Sequence, residues 1–255
     1  RMVVKGYKSK DSRKGDVAMA YGSAIHKFLE GYYGCLPISE CIKMATDFYK
    51  PYSENVSFSP REFRYTENLI KVCLEYKKKY PRIKEENHGE EEVILSSNDF
   101  QPCLNELNDK TVEYKFCITI YENEFYILKL TGTVDLVCSY AGIDLLLVDH
   151  KSASSSPEYA DDYFDNYVLD IQTMLYSKVY KESLNLNYYP MVLINGIFVK
   201  KPTQKAEKEG IFDGVDFKRS SPISYSDEQM EQFNTWYKEQ IENIINHLNN
   251  NFGLS

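Results

Sequence analysis

Val148-Asp149-His150-Lys151-Ser152 closes a run, 143–149, whose interior Leu145-Leu146-Leu147-Val148 is wholly apolar. A run of this kind reads as a strand buried on both faces. Residues two apart in a strand point to the same face, so Asp149 and Lys151 emerge together at the strand's end. Fourteen residues before Asp149 stands a second carboxylate, Asp135, within Leu130-Thr131-Gly132-Thr133-Val134-Asp135-Leu136-Val137. Ser139-Tyr140-Ala141-Gly142 between the runs is a turn signal, which makes them a hairpin or neighbouring strands. Two Asp and one Lys thereby converge. Buried carboxylates repel unless a cation lies between them. A divalent metal is the simplest such cation, with the lysine beside it to handle a water or a phosphate. The same repulsion predicts that Asp135→Asn stabilises the metal-free protein.

The chain has 255 residues, 43% of them hydrophobic and 27% charged, which suits one domain spanning 1–255. A net charge of −8 argues against a generic basic coat for nucleic acid. It leaves room for a nuclease, whose acidic site meets its substrate through metal ions and a local groove. Six cysteines form no Cys-x-x-Cys pair and read as reduced thiols of a cytosolic protein. No apolar run approaches a membrane span and no secretory signal is visible.

Residues 1–15 are basic and polar, an expected mobile arm. Asp16 is the expected N-cap of a helix over 16–33 that carries Gly22, His26 and Glu30 at steps of four, hence on one face. Ser59-Pro60-Arg61-Glu62 is a capping box opening a helix with Phe63, Ile70, Cys73 and Leu74 inward, ending before Pro81. The charged stretch 82–92 reads as a connector. Strands are expected at 111–120, 125–138 and 143–150, a loop at 152–167, a helix at 168–183 and a strand at 189–200. A loop over 201–224 follows. Its Lys205 and Lys208, with Lys200 and Lys201, could line a DNA channel, although a charge run is more often simply solvated. Ser226-Asp227-Glu228-Gln229 is a second capping box, and the helix after it bears an apolar stripe from Met230, Phe233 and Tyr237 to Ile241, Ile244, Ile245 and Leu248. This order predicts an α/β fold, a central mixed sheet flanked by helices.

A carboxylate-x-Lys tripeptide alone is a weak signal. Asp216-Phe217-Lys218, Glu75-Tyr76-Lys77 and Glu113-Tyr114-Lys115 share it. Asp149/Lys151 differs in ending an apolar strand, following a Gly-x-x-Asp strand, and preceding a helix with Gln172 and Tyr176 on one face. Taken together, the chain resembles the RecB-like branch of the PD-(D/E)xK nuclease superfamily. That branch carries Gly-x3-His-x3-Glu (Gly22, His26, Glu30), a Glu-bearing strand (Glu113), Gly-x-x-Asp (Gly132, Asp135), Asp-x-Lys (Asp149, Lys151) and Gln-x3-Tyr (Gln172, Tyr176). These motifs stand in the family's order over about 16–180.

The resemblance implies a restriction-endonuclease-like core and a Mg²⁺- or Mn²⁺-dependent deoxyribonuclease. It implies an exonuclease acting on DNA ends in recombination, repair or phage DNA processing. A bacterial or phage-encoded cytoplasmic protein with a recombination or annealing partner is expected. Metal ligands would be His26, Asp135, Asp149 and the carbonyl of His150. Lys151 would position the attacking water, Gln172 and Tyr176 would orient Lys151 or a phosphate, and Glu113 would hold a second metal or a water. Each has a plainer reading: strand-end Asp as turn residues, His26 in a core, Lys151 and Glu113 solvated, Tyr176 one tyrosine among 22. Iron–sulfur members of the group place three cysteines after the Gln-x3-Tyr helix. Here none lies beyond Cys138, so no cluster is expected. A structure-specific or restriction-type endonuclease is the closest rival, and a non-catalytic nucleic-acid-binding module the more distant one.

Overall fold

In a computed structural model, which describes residues 13–54, 63–87, 90–105, 107–154 and 157–252, the centre is a mixed sheet. Its strands are β3 (Gln101–Pro102), β4 (Val112–Glu122), β5 (Ile127–Tyr140), β6 (Ile143–Ala153), β7 (Met191–Val199) and β8 (Val215–Arg219). They are ordered β3-β5-β6-β7-β8, with β4 beside β5. Among these described strands β6 and β7 run parallel and the other pairs are antiparallel. The β5–β6 turn is Ala141-Gly142, both with positive φ, as a tight primed hairpin turn requires.

Helices α1 (Arg13–Tyr33), α2 (Ile38–Ser53) and α3 (Thr66–Lys79) cover one face, and α4 (Ala160–Asp165) and α5 (Ile171–Ser183) the other. Alternation within β6 builds both cores. Leu146 and Val148 join the α1–α3 side, and Leu147 joins the α4–α5 side. Helices α6 (Gln204–Glu209) and α7 (Asp227–Phe252) follow, α7 seating Met230 and Phe233 against Met174 of α5. Its capping box forms as read, with Ser226 and Gln229 exchanging backbone-to-side-chain bonds of 2.9 and 3.2 Å. Among the described residues no helix is long and apolar enough to cross a membrane.

Several expectations need correction. Helix α1 is already helical at Arg13, ahead of Asp16. The charged stretch is a two-stranded ribbon, β1 (Arg82–Asn87) with β2 (Glu90–Leu95), because ladder hydrogen bonds need no apolar face. Arg82 roots it by donating to Leu36 and Tyr32 carbonyls at the end of α1, over the Tyr32 ring. In α3 the inward residues are Leu69, Val72, Cys73 and Tyr76, whereas Leu74 faces water. The stretch 152–167 contains a short 3-10 turn (Pro157–Tyr159) and α4; 201–224 contains α6 and β8. The α7 stripe is only partly used, since Ile244 is exposed. The box at Ser59 and residues 1–12 of the arm lie outside the described residues.

Candidate active site

The site sits where β5 and β6 part. Their pairing runs from the hairpin turn to Leu136↔Val148 and stops there. Beyond it, the His150 N–H donates to the Asp135 side chain, Oδ2, at 2.7 Å. A carboxylate thus takes a ladder donor that would otherwise be orphaned, and Asp135 is aimed into the opening.

Helix α1 crosses this opening closely. A Cβ on Gly22 would stand 2.5 Å from Ser152 Oγ at the end of β6, so a side chain there would have to push the helix or Ser152 away. One turn later His26 Nδ1 lies 3.5 Å from Asp135 Oδ2. On the opposite strand Glu113 falls between the pairs Val112↔Leu136 and Tyr114↔Val134, facing Asp135. Its φ of 52° is unusual inside a strand for a residue with a side chain. His26, Glu113 and Asp135 each offer one ligand atom, and these atoms all lie within 4.8 Å of one another. Two carboxylates and one imidazole form a donor set suited to a hard or borderline divalent ion.

Asp149 and Lys151 stand beside that group. Asp149 is almost fully buried and its Oδ2 lies 2.7 Å from Lys151 Nζ. Lys151 Nζ also donates to Gln172 Oε1 at 3.0 Å, and Gln172 Nε2 donates to the Tyr176 hydroxyl at 2.6 Å. Asp170 caps α5 by accepting from the Gln172 N–H, 2.8 Å away, which fixes the turn that presents Gln172. Tyr176 is in turn braced edge-on by Phe116, whose ring occupies the space that a Cβ on Gly132 would need. The Tyr167 ring flanks Lys151 at 5.7 Å.

Charge is unevenly shared. Burial works to raise the Asp135 pKa, but the His26 bond and charge and the His150 N–H outweigh it, so the carboxyl stays well below the usual range. Asp149 goes the other way: burial, then repulsion from Asp135, pushes it up despite Lys151. Burial lowers the His26 pKa, but Asp135, Asp149 and Glu113 raise it overall. Burial and Asp135 also raise Glu113.

The eight residues singled out from sequence therefore gather around one opening, in two sub-groups. Glu113 stands with His26 and Asp135; Asp149 is held by Lys151 instead. The His150 ring meets the His26 ring edge-on, 6.0 Å between centroids, and stacks on Tyr33, with its Nδ1 2.9 Å from Asn195 Nδ2. Glu30 pairs with Lys27. An open groove of about 520 Å³ leads off between α1 and the end of β6, past Gly22, His26, Arg64, Lys151 and Ser152. Sequence reading missed Tyr33, Tyr76 and Asn195 behind His150. Only Asn195 had a signal, as the single polar side chain in Met191–Val199.

A family model described as the PD-(D/E)XK nuclease superfamily matches residues 3–251. No curated protein matches the chain.

Proposed function

The chain belongs to the PD-(D/E)XK nuclease superfamily, and from that premise we propose that it is a metal-dependent DNA exonuclease of the RecB-like branch, built as one domain. The observation that carries this reading is the three-donor group His26, Glu113 and Asp135 set against a lysine held by Asp149 and Gln172.

His26, Glu113 and Asp135 would hold Mg²⁺ or Mn²⁺, with Asp149 and the His150 carbonyl alongside. A bound ion supplies Lewis acidity and a more acidic water. The protein's own groups position the rest. Asp149 pairs with the Lys151 ammonium and Gln172 accepts one of its N–H bonds, which holds the charge at the opening for the water or a phosphate oxygen. The ammonium offsets negative charge that grows on the phosphate as the water attacks. Tyr176 holds the Gln172 amide, so Lys151 meets a fixed acceptor. Hydrolysis then adds water across the phosphodiester: the new O–P bond forms, the P–O3′ bond breaks, and the 3′ oxygen leaves with a proton.

End-labelled linear DNA and covalently closed circular DNA, each incubated with Mg²⁺ or Mn²⁺, test the reading. Release of nucleotides from linear DNA alone is expected. Nicks or breaks in closed circles would favour the endonuclease, and binding of DNA without cleavage would favour the non-catalytic module.

A further inference from the structure

His150, Asn195 and Arg219 form one row across three strands. His150 is the parallel partner of Asn195, and Asn195 the antiparallel partner of Arg219. The row faces α1 and α3, whereas Lys151 reaches α5 on the other side of the sheet. It is fully polar in the middle of an apolar core. A buried amide is costly unless bonded, and Asn195 is completely buried with its Oδ1 lacking a hydrogen-bond partner among the described residues. An apolar side chain would suit this strand better for stability alone.

What the amide does is close a loop of contacts around His150. Asn195 Nδ2 meets His150 Nδ1 at 2.9 Å and donates to the Tyr76 hydroxyl at 3.1 Å. The Tyr76 and Tyr33 hydroxyls are 2.6 Å apart, and the Tyr33 ring stacks on His150 with an interplanar angle of 13°. Arg219, paired with Asp99, donates to the Tyr33 hydroxyl at 3.4 Å and anchors the loop from β8. His150 needs such bracing because β6 has lost β5 at this point and, among the described strands, pairs with β7 alone. Its N–H aims Asp135, and its peptide carries Asp149 and Lys151 on either side.

We propose that Asn195 is a positioning residue for the metal site: by holding the His150 ring it fixes the N–H that orients Asp135 and the strand end from which Asp149 and Lys151 project. The inference rests on the reading of His26, Glu113 and Asp135 as that site.

Calorimetric titration with Mn²⁺, alongside cleavage kinetics on linear DNA, tests it. The proteins are wild type, Asn195→Leu, His150→Phe, the double variant, and Leu69→Ala as a core-destabilised control on α3, seven residues before Tyr76. Asn195→Leu should weaken Mn²⁺ binding by about tenfold and lower kcat with little change in KM, the scale of losing a group that orients a ligand. Leu69→Ala should keep its Mn²⁺ affinity within about twofold even if its Tm falls further. The double variant should bind no more weakly than His150→Phe, because Asn195 acts through that ring. Should Asn195→Leu not fold, Tyr76→Phe carries the test, with about threefold weaker binding expected on the same grounds. Wild-type affinity in whichever of these two variants is read, or additive losses in the double variant, would overturn the inference and leave the metal site standing. A wild type that neither binds Mn²⁺ nor cuts DNA would remove the site itself.

Discussion

At the residue scale, the two aspartates are not equivalent. Asp135 is stabilised as a carboxylate by His26 and the His150 N–H, and the repulsion falls on Asp149. The expectation that Asp135→Asn relieves the metal-free protein is therefore revised: Asp149→Asn should do so. Asp149 has a folded pKa of about 6, above the ordinary carboxylate value near ~4. Between those values the folded state binds more protons than the unfolded state, so stability falls as pH rises through that window. Melting with chelator should show no advantage for Asp149→Asn near pH 4 and an advantage on the order of 1 kcal/mol above pH 6. His26, with its raised pKa, makes protons compete with metal. Mn²⁺ affinity should weaken as pH falls from above the ordinary histidine value, and His26→Ala should flatten that dependence. Lys151→Ala should cost at least ~3 kcal/mol in kcat while the fold survives; near-normal turnover would remove its role.

At the element scale, function depends on close crossings. Helix α1 reaches β6 because Gly22 has no side chain at Ser152. Valine is intrinsically a better helix former than glycine by a few tenths of a kcal/mol, so propensity alone would favour Gly22→Val. The contact predicts the reverse: the metal concentration for half-maximal cleavage should rise severalfold, as His26 moves with the helix. Unchanged metal dependence would show that the crossing does not set the site. Much of this was legible in sequence. The parity of Asp149 and Lys151, the hairpin to Asp135 and the step from Gly22 to His26 follow from strand and helix periods. Glu113 was less so, because no periodicity foretells a positive φ inside a strand. The ribbon at 82–95 was hidden by its charge, since pattern reading looks for an apolar face that a ribbon held by its ladder does not need. Tyr33 and Tyr76 were hidden by number, two among 22 tyrosines, and only the folded chain brings them to His150.

At the scale of the whole molecule, the sheet separates two tasks. One face, under α1 and α3, holds His26 and braces His150; the other, under α5, holds Lys151 through Gln172. The parting of β5 and β6 lets both faces serve one opening, which is why motifs spread over some 150 residues of the chain meet there. The central claim is that His26 joins Glu113 and Asp135 in a single metal centre. Pulsed electron paramagnetic resonance on bound Mn²⁺ addresses it without any substrate. Wild type and His150→Phe should both show coupling to an imidazole nitrogen, and His26→Gln should lose it. Absence of nitrogen coupling in wild type, or its persistence in His26→Gln, would contradict the assignment.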